Sequence, residues 1–309
     1  MRKSLLSLAV LSAIALPTFV SAEEVAEAST TEAAVAPAVA KSAWSASSNI
    51  GFVSDYYTRG ISQSWHKPAL QGGIDFAHTS GFFVGVWGSN VSPNTFPDAS
   101  LELDAYFGYN GQISAIKDLN YTVGAIGYFY PGGDWKKCVA CTTADGVTPN
   151  TGGRWDTYEA NFGLSYKWVS AKASVTLGDW FGAEKGTGFT SGSSGTTYIE
   201  LNAAYPLPFW DLTLIGHVGR LDVSTQLSQV VADVGNGERS PDYTDYKIGL
   251  SKSFSFANAD GWNAGLYYVG ASDNGYWGKT GFGGPSFNGS TERKDLADNR
   301  WVVSLTRAF

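Results

Sequence analysis

Apolar and polar residues alternate with a period of two along most of the chain from Ala46 onward. In residues 157–167, Tyr158, Phe162 and Leu164 lie on one face, while Glu159 lies on the other. A period of two indicates a β-strand, because successive side chains of a strand point to opposite faces. The same division recurs in residues 101–109, 196–205 and 246–254. The chain is therefore predicted to be all-β.

The alternating runs predict about twelve strands of roughly ten residues each, which is the length that crosses a bilayer when a strand is tilted. The predicted strands begin near Ser47, Ala69, Gly81, Ser100, Leu119, Trp155, Ser170, Thr196, Phe209, Asp242, Trp262 and Asn299. Between them, short turns such as residues 79–81 alternate with long polar segments such as residues 131–153. This alternation is typical of an up-and-down barrel in a bacterial outer membrane, with short periplasmic turns and long external loops. We therefore predict a transmembrane antiparallel up-and-down β-barrel of about 12 strands.

The two ends of the chain carry separate signals. Residues 1–22 have a basic pair, an apolar run and a small residue at the end, which predicts a secretory signal peptide. Residues 23–43 are rich in Ala, Glu and Thr and predict a flexible periplasmic leader, with a short docking helix as the alternative. The barrel domain is predicted to occupy residues 44–309. Its last strand alternates towards Phe309, a pattern resembling the carboxy-terminal strand that the outer-membrane assembly machinery reads; an ordinary last strand is the alternative.

Composition and charge narrow the class of partner. The chain has 37 glycines, 11 tryptophans, 16 tyrosines and 17 phenylalanines, and only 16% of its residues are charged. This composition is typical of aromatic-rich strands with few helix formers. The formal net charge of -7 disfavours nucleic acid, whose phosphates require a basic surface. Outer-membrane lipid and small hydrophilic solutes are the partners we expect.

The segment from Ser48 to Val91 contains a succession of short motifs, SDY, RGxSQ, PAxQGG and GxWxS. The residues that carry them are Ser54, Asp55, Tyr56, Arg59, Gly60, Ser62, Gln63, Pro68, Ala69, Gln71, Gly72, Gly73, His78, Gly81, Gly85, Trp87 and Ser89. This succession resembles the opening of the TorF porin family, a proteobacterial family also known as gcw_chp. The resemblance implies an outer-membrane channel whose substrate is poorly defined.

The sequence contains few candidate catalytic residues. His66, His78 and His217 are its three histidines, and no HExxH, GxSxG, phosphate-binding loop or dinucleotide motif occurs. A barrel hydrolase would use His217, but we favour a lumen or interfacial role for this histidine. We predict no enzyme activity, no cofactor and no metal site.

Cys138 and Cys141 form a CxxC pair in a long loop, and in an exported protein we expect a loop disulfide rather than a redox or zinc site.

One face of the strands collects the polar and charged residues that would line a lumen. The predicted pore-lining residues are Asp55, Arg59, Asp75, Trp87, Glu102, Asp104, Glu159, Lys167, Lys172, Glu200, Asp245 and Lys247. A barrel of about twelve strands lies between small barrels filled by side chains and wide open porins. A narrow, acid-leaning passage of this kind favours small neutral or cationic solutes.

Two places along the chain, one at Arg59 and one at Trp87, suggest how the passage narrows. Arg59 and Gly60 follow the first strand, where a turn would return the arginine over the pore mouth; a glycine that only relieves strain at a loop start is the alternative. Phe83 and Trp87 share the inner face of residues 81–90, while Phe82, Val84 and Val86 share the outer face. An apolar inner face at this point predicts a constriction or a surface on which solutes stack.

The function predicted from the sequence is an outer-membrane channel for passive diffusion of small hydrophilic solutes. A barrel enzyme or a plugged structural barrel is the alternative within the same fold, because the diameter is intermediate and the lumen carries many carboxylates. A soluble periplasmic β protein is a third possibility. Conductance separates the first from the second, and fractionation without detergent identifies the third.

Overall fold

The computed structural model describes residues 42–138, 141–228, 239–272, 275–284 and 291–309. The predicted signal peptide of residues 1–22 and almost all of the predicted leader of residues 23–43 lie outside the described residues, so both stay predictions. Among the described residues, no helix is long and apolar enough to cross a membrane.

Twelve antiparallel strands of the described chain form a closed barrel. They are β1 (Trp44–Val53), β4 (Ala69–His78), β5 (Phe82–Asn90), β6 (Leu101–Gln112), β7 (Leu119–Phe129), β8 (Thr157–Tyr166), β9 (Val169–Thr176), β10 (Thr197–Pro206), β11 (Leu212–Asp222), β12 (Tyr243–Phe256), β13 (Ala259–Ser272) and β14 (Arg300–Ala308). Each strand pairs with its neighbours in the chain, and β1 pairs with β14 to close the sheet. Closure leaves no strand edge with unpaired backbone groups. The predicted fold class and strand number are confirmed.

The barrel begins and closes where the alternating pattern predicts. Every predicted strand start lies within three residues of the observed one; the largest differences include β1, which begins at Trp44, and β13, which begins at Ala259. One hairpin was not predicted. It consists of β2 (Tyr57–Thr58) and β3 (Ile61–Ser62), which pair with each other and not with the barrel. Their two-residue length gives no detectable alternation in the sequence.

The two faces of each strand differ in burial as the alternation requires. In β5, Phe82, Val84 and Val86 are about half exposed, at 58%, 44% and 53%, whereas Phe83 is 3% exposed. Large apolar side chains that cannot be buried in a core therefore cover the outside of the barrel. The inside holds the polar and charged side chains, together with aromatic rings.

Five short turns join the strands at the end of the barrel where β1 begins and β14 ends. They are residues 79–81, 113–118, 167–168, 207–211 and 257–258. The connections at the other end are residues 54–68, 91–100, 130–156, 177–196, 223–242 and 273–299, and we call this end the loop end. The predicted alternation of short and long connections is thus present in the strand order.

The loops at the loop end pack against each other through aromatic side chains, which we call the aromatic lid. The lid consists of Phe96, Trp135, Trp155, Trp180, Phe181, Phe189, Tyr276, Trp277 and Phe282. The rings of Trp135 and Trp155 stack with centroids 4.2 Å apart, and Phe282 lies edge-on to both at 5.9 Å. Because these loops rise from different sides of the rim, their common core lies over the mouth of the barrel.

The long loop between β7 and β8 carries the two cysteines. The sulfur atoms of Cys138 and Cys141 are bonded to each other, and the side chain of Cys138 is buried against the lid. The ring closed by this bond is very small, so its entropic effect on the unfolded chain is small. The disulfide therefore acts locally, next to Trp135.

Candidate functional site

The hairpin formed by β2 and β3, which we call the inner hairpin, lies inside the barrel. Its tip is Arg59 and Gly60, with φ values of 49° and 75°. A Cβ atom on Gly60 would lie 2.5 Å from Cβ of Asp245 and 2.7 Å from the carbonyl oxygen of Gly270. Asp245 lies on β12 and Gly270 on β13, three and two strands from β1 in the closed order, so the hairpin extends into the lumen and its tip touches these two strands. Glycine is required here by the positive φ and by the close approach.

Arg59 extends from this tip to two further strands. Its Nη1 and Nη2 atoms donate to Oε1 and Oε2 of Glu159 on β8, at 2.8 and 2.7 Å. The guanidinium also lies 4.1 Å from the centroid of the Tyr198 ring on β10. This combines a bidentate ion pair with a cation–π contact, and both side chains of the ion pair are buried. Burial by itself lowers the pKa of Arg59, but the Glu159 carboxylate raises it by more. The net pKa is therefore above its ordinary value, and the guanidinium stays charged.

The base of the inner hairpin is held by Asp55. Its Oδ2 lies 2.7 Å from Nδ1 of His66, and its Oδ1 accepts hydrogen bonds from Ser62 at 2.7 Å and Ser64 at 3.0 Å. Nε2 of His66 lies 2.7 Å from the carbonyl oxygen of Asp295, which ties this loop to the last loop of the chain. Asp55 was predicted to line the pore. It instead stabilises the loop that narrows it.

On the β9–β12 side, the lumen carries a connected row of polar groups. Nζ of Lys172 lies 2.6 Å from Oε1 of Glu200, whose Oε2 accepts a hydrogen bond from Asn202 at 3.1 Å. Nδ1 of His217 lies 2.6 Å from Oδ1 of Asn202, and its Nε2 lies 2.7 Å from Oδ1 of Asp245. Both ring nitrogens of His217 therefore have partners within the barrel wall. This arrangement gives the hydrolase alternative no support.

Lys247 lies beside this row on β12. Its Nζ lies 5.5 Å from the centroid of the Tyr267 ring. Asp245 lies two residues earlier on the same face of β12, and His217 lies directly opposite Lys247 on β11. The β9–β12 side of the lumen therefore carries Lys172 and Lys247 among acidic partners.

The opposite side of the lumen is acidic and aromatic. Oε1 of Glu102 accepts a hydrogen bond from the Tyr130 hydroxyl at 2.8 Å, and Oδ1 of Asp75 accepts one from Tyr106 at 2.5 Å. Asp104 lies between these pairs on β6 and is 2% exposed. Glu102 and Asp104 on β6 and Glu159 on β8 thus place three carboxylates on the two strands that flank β7.

Trp87 lies on the inner face of β5, as predicted, and its ring centroid lies 5.6 Å from that of Tyr56 in the loop before the inner hairpin. Phe83, further down the same face, is buried against Gly108, where a Cβ atom would lie 2.6 Å from the ring. Trp87 therefore narrows this side of the lumen at the level of Asp104, and Phe83 narrows it nearer the short turns.

Above the inner hairpin, the barrel mouth and the aromatic lid enclose a cavity of about 40 Å³. Arg59, Glu102 and Tyr128 from the barrel interior line it, together with lid residues such as Trp155 and Trp277. A cavity of this size holds only a few water molecules. The described lid residues thus cover the barrel mouth at the loop end in this conformation.

The structure brings most of the predicted pore-lining residues together but not all of them. Arg59, Asp75, Trp87, Glu102, Asp104, Glu159, Lys172, Glu200, Asp245 and Lys247 face the interior. Lys167 does not, and its prediction was wrong: it occupies the two-residue turn between β8 and β9, has a φ of 52° and is exposed. Among the described residues, no group of three or more His, Cys, Asp or Glu side chains could hold a metal ion.

Several important residues escaped the sequence analysis. Tyr198 and Asn202 connect the charged groups through His217, yet each is an ordinary lumen residue of a strand in the sequence. The aromatic lid left a stronger signal, because Trp135 and Trp180 each follow the dipeptide Gly-Asp within otherwise polar loops. A tryptophan repeated in that setting indicates a loop that packs against another part of the protein.

One sequence family matches the chain over a range that includes all of the described residues. The family described as "Bacterial protein of unknown function (Gcw_chp)" matches residues 37–309. No curated protein matches the chain.

Solved structures with a similar shape include outer-membrane barrels. The KdgM porin has a TM-score of 0.44 at 8% identity, and the NanC porin has 0.44 at 9%; in both comparisons 85% of this chain and 99% of the other chain are covered. OccD3 of Pseudomonas aeruginosa has a TM-score of 0.37 at 11% identity, covering 84% of this chain and 60% of the other. The barrel architecture of this chain follows from its own strand pairing and does not depend on these structural similarities.

Proposed function

This chain belongs to the Gcw_chp family, and we propose that it is an outer-membrane channel for small hydrophilic solutes that adopts a closed conformation here. The observation that carries the proposal is the connected row of charged and polar side chains inside a closed barrel, from Lys172 through Glu200 and His217 to Asp245. A filled barrel is stabilised as well or better by apolar packing, since buried ion pairs contribute little net stability. Charged groups facing inward support a solute path.

The outer surface supports a location in the bacterial outer membrane. Outward positions such as Phe76, Phe107 and Ile199 are between 46% and 63% exposed. An apolar surface of this extent is not stable in water and matches the lipid-facing band of a membrane barrel. Near the short turns, Trp168 and Tyr205 pack edge to face with centroids 5.2 Å apart, as aromatic residues at a membrane interface do.

The resemblance of residues 48–91 to the TorF porin family supports the same proposal. We also propose that the outer-membrane assembly machinery recognises the last strand. The backbone of Phe309 is tied to Ser48, with Phe309 N donating to Ser48 O at 2.8 Å. Phe309 therefore lies at the seam where the barrel closes.

Passage requires the inner hairpin and the aromatic lid to move. The hairpin is held by Arg59 on Glu159, and the lid by ring contacts between loops from several sides of the rim. Loop contacts can open without unfolding the strands, because no backbone ladder joins the inner hairpin to the barrel. We therefore propose that the inner hairpin and the lid are the gate of the channel.

A plugged structural barrel is the second candidate, and the aromatic lid is the observation that favours it. Conductance across a planar bilayer separates the two, measured on the purified, detergent-folded protein and on the Arg59→Ala variant. Discrete conductance steps that become larger or more frequent in the variant support the channel. Heat-modifiable, correctly folded protein that conducts in neither form rejects the channel and leaves the plugged barrel.

A further inference from the structure

Asp104 is a buried acidic residue of the lumen. Its side chain is 2% exposed, and neither of its two carboxylate oxygens has a hydrogen-bond partner among the described residues. By contrast, Asp75 accepts a hydrogen bond from Tyr106, and Glu102 accepts one from Tyr130. An unpaired buried carboxylate is strongly unfavourable in a folded protein. A ligand that supplies the missing donors would explain why this group is retained.

Aromatic rings flank Asp104 on both neighbouring strands. In the strand register, Asp104 lies directly opposite Trp87 on β5 and directly opposite Tyr128 on β7. Directly opposite residues of antiparallel strands present their side chains on the same face, close enough to act on one ligand. The Tyr56 ring, 5.6 Å from Trp87, adds a third aromatic surface. Rings around a carboxylate suit a cation, which the ring faces also attract.

The local charge excludes anions. Glu102 lies two residues before Asp104 on the same face of β6, and Glu159 lies on β8. Arg59 is the cation of this region, and its two terminal nitrogens are both used by Glu159. Three carboxylates and one guanidinium leave the region acidic. Calcium and similar ions need six or more oxygen ligands, and among the described residues no three His, Cys, Asp or Glu side chains are placed so that they could hold a metal ion.

We propose that Asp104 anchors a subsite for the protonated amine of a solute. The N–H groups of an alkylammonium ion would donate to the two free carboxylate oxygens, while Trp87 and Tyr128 would contact its carbon atoms. This inference deepens the proposed channel by naming its solute class and rests on that channel for transport. Binding itself requires only the folded barrel.

Binding is therefore measured without a membrane, by isothermal titration calorimetry of ethylammonium chloride into the purified protein in detergent. The wild type is expected to bind, and Asp104→Asn to bind at least about tenfold more weakly, since hydrogen bonds to charged groups contribute that much. The matched control is Asp75→Asn, which alters another lumen carboxylate that already has a tyrosine donor; it is expected to bind like the wild type. Absence of binding to the wild type, or equal binding by Asp104→Asn, overturns the proposal.

A comparison of probes on the wild type tests the chemistry even where a variant does not fold. Sodium chloride lacks the alkyl group, and tetramethylammonium chloride lacks N–H donors. Ethylammonium is expected to bind more tightly than both, and equal binding of either probe overturns the assignment of a protonated amine. Conductance is recorded separately, so a barrel that binds ethylammonium but does not conduct rejects the channel and keeps the subsite.

Discussion

Arg59 and Glu159 are separated by 100 residues in sequence, and their side chains meet inside the barrel with N–O distances of 2.7 and 2.8 Å. Arg59 comes from a loop at the rim, while Glu159 lies on β8, nearly opposite β1 in the closed strand order. The ion pair therefore spans the lumen. It holds the inner hairpin across any path that a solute would take.

Removing the guanidinium should release the hairpin. Arg59→Ala is expected to increase the conductance of the protein in planar bilayers and to lower its thermal unfolding midpoint. The destabilisation should be about 3 to 5 kcal/mol, because Glu159 is left buried without its partner. The double variant Arg59→Met/Glu159→Met should recover most of this stability, since apolar residues can replace a buried pair.

The control for this variant is Arg220→Ala. Arg220 pairs with Asp222, and both side chains are about half exposed. An exposed pair contributes roughly 1 kcal/mol or less, so both conductance and stability should stay close to those of the wild type. A conductance for Arg59→Ala that matches the Arg220→Ala control would show that the hairpin does not narrow the passage.

A methyl group at the hairpin tip should be poorly tolerated. Gly60→Ala introduces a Cβ atom at a φ of 75°, about 2.5 Å from Asp245 Cβ. The left-handed backbone alone costs roughly 1 to 2 kcal/mol, and the contact forces the tip away from β12. Increased proteolysis of the loop at residues 54–68 would report this shift. Gly178→Ala is the control, because no atom lies within 4 Å of its Cβ position and it should behave like the wild type.

The charge of Lys247 should affect ion selectivity. Lys247→Gln removes a positive charge from the lumen, so the reversal potential across a salt gradient should shift towards greater cation preference. Lys252→Gln is the control, since Lys252 lies on the same strand but is exposed. Equal shifts for both variants would mean that Lys247 does not face the ion path.

The last residue should matter for assembly more than for stability. Deletion of Phe309 removes the carboxy-terminal aromatic group and its backbone hydrogen bonds to Ser48 at the closing seam. We expect less folded protein in the outer membrane of cells, measured by heat-modifiable gel mobility. Refolding of the purified chain in detergent should remain efficient, because β1 and β14 still pair from Asn49 to Val53. Failure in detergent as well would assign Phe309 a structural role instead.

Local pattern was sufficient for the strands and insufficient for the site. The inner and outer faces of β5 follow from alternation, because a strand places neighbouring side chains on opposite sides wherever it lies. The prediction that Lys167 lines the pore was wrong for a related reason. Lys167 continues the polar face of β8 by one residue in the sequence, but the chain has already turned at that point. Alternation carries no information about where a strand ends.

The sequence by itself determined the barrel. Period-two runs of membrane-spanning length, joined alternately by short and long connections, leave few other ways to satisfy the backbone and to place so many exposed apolar groups. Only the tertiary structure decided that the barrel is closed at the loop end. The hairpin at Arg59 and the lid around Trp135 are irregular, and their partners are distant in sequence, so no local period records which side chains they meet.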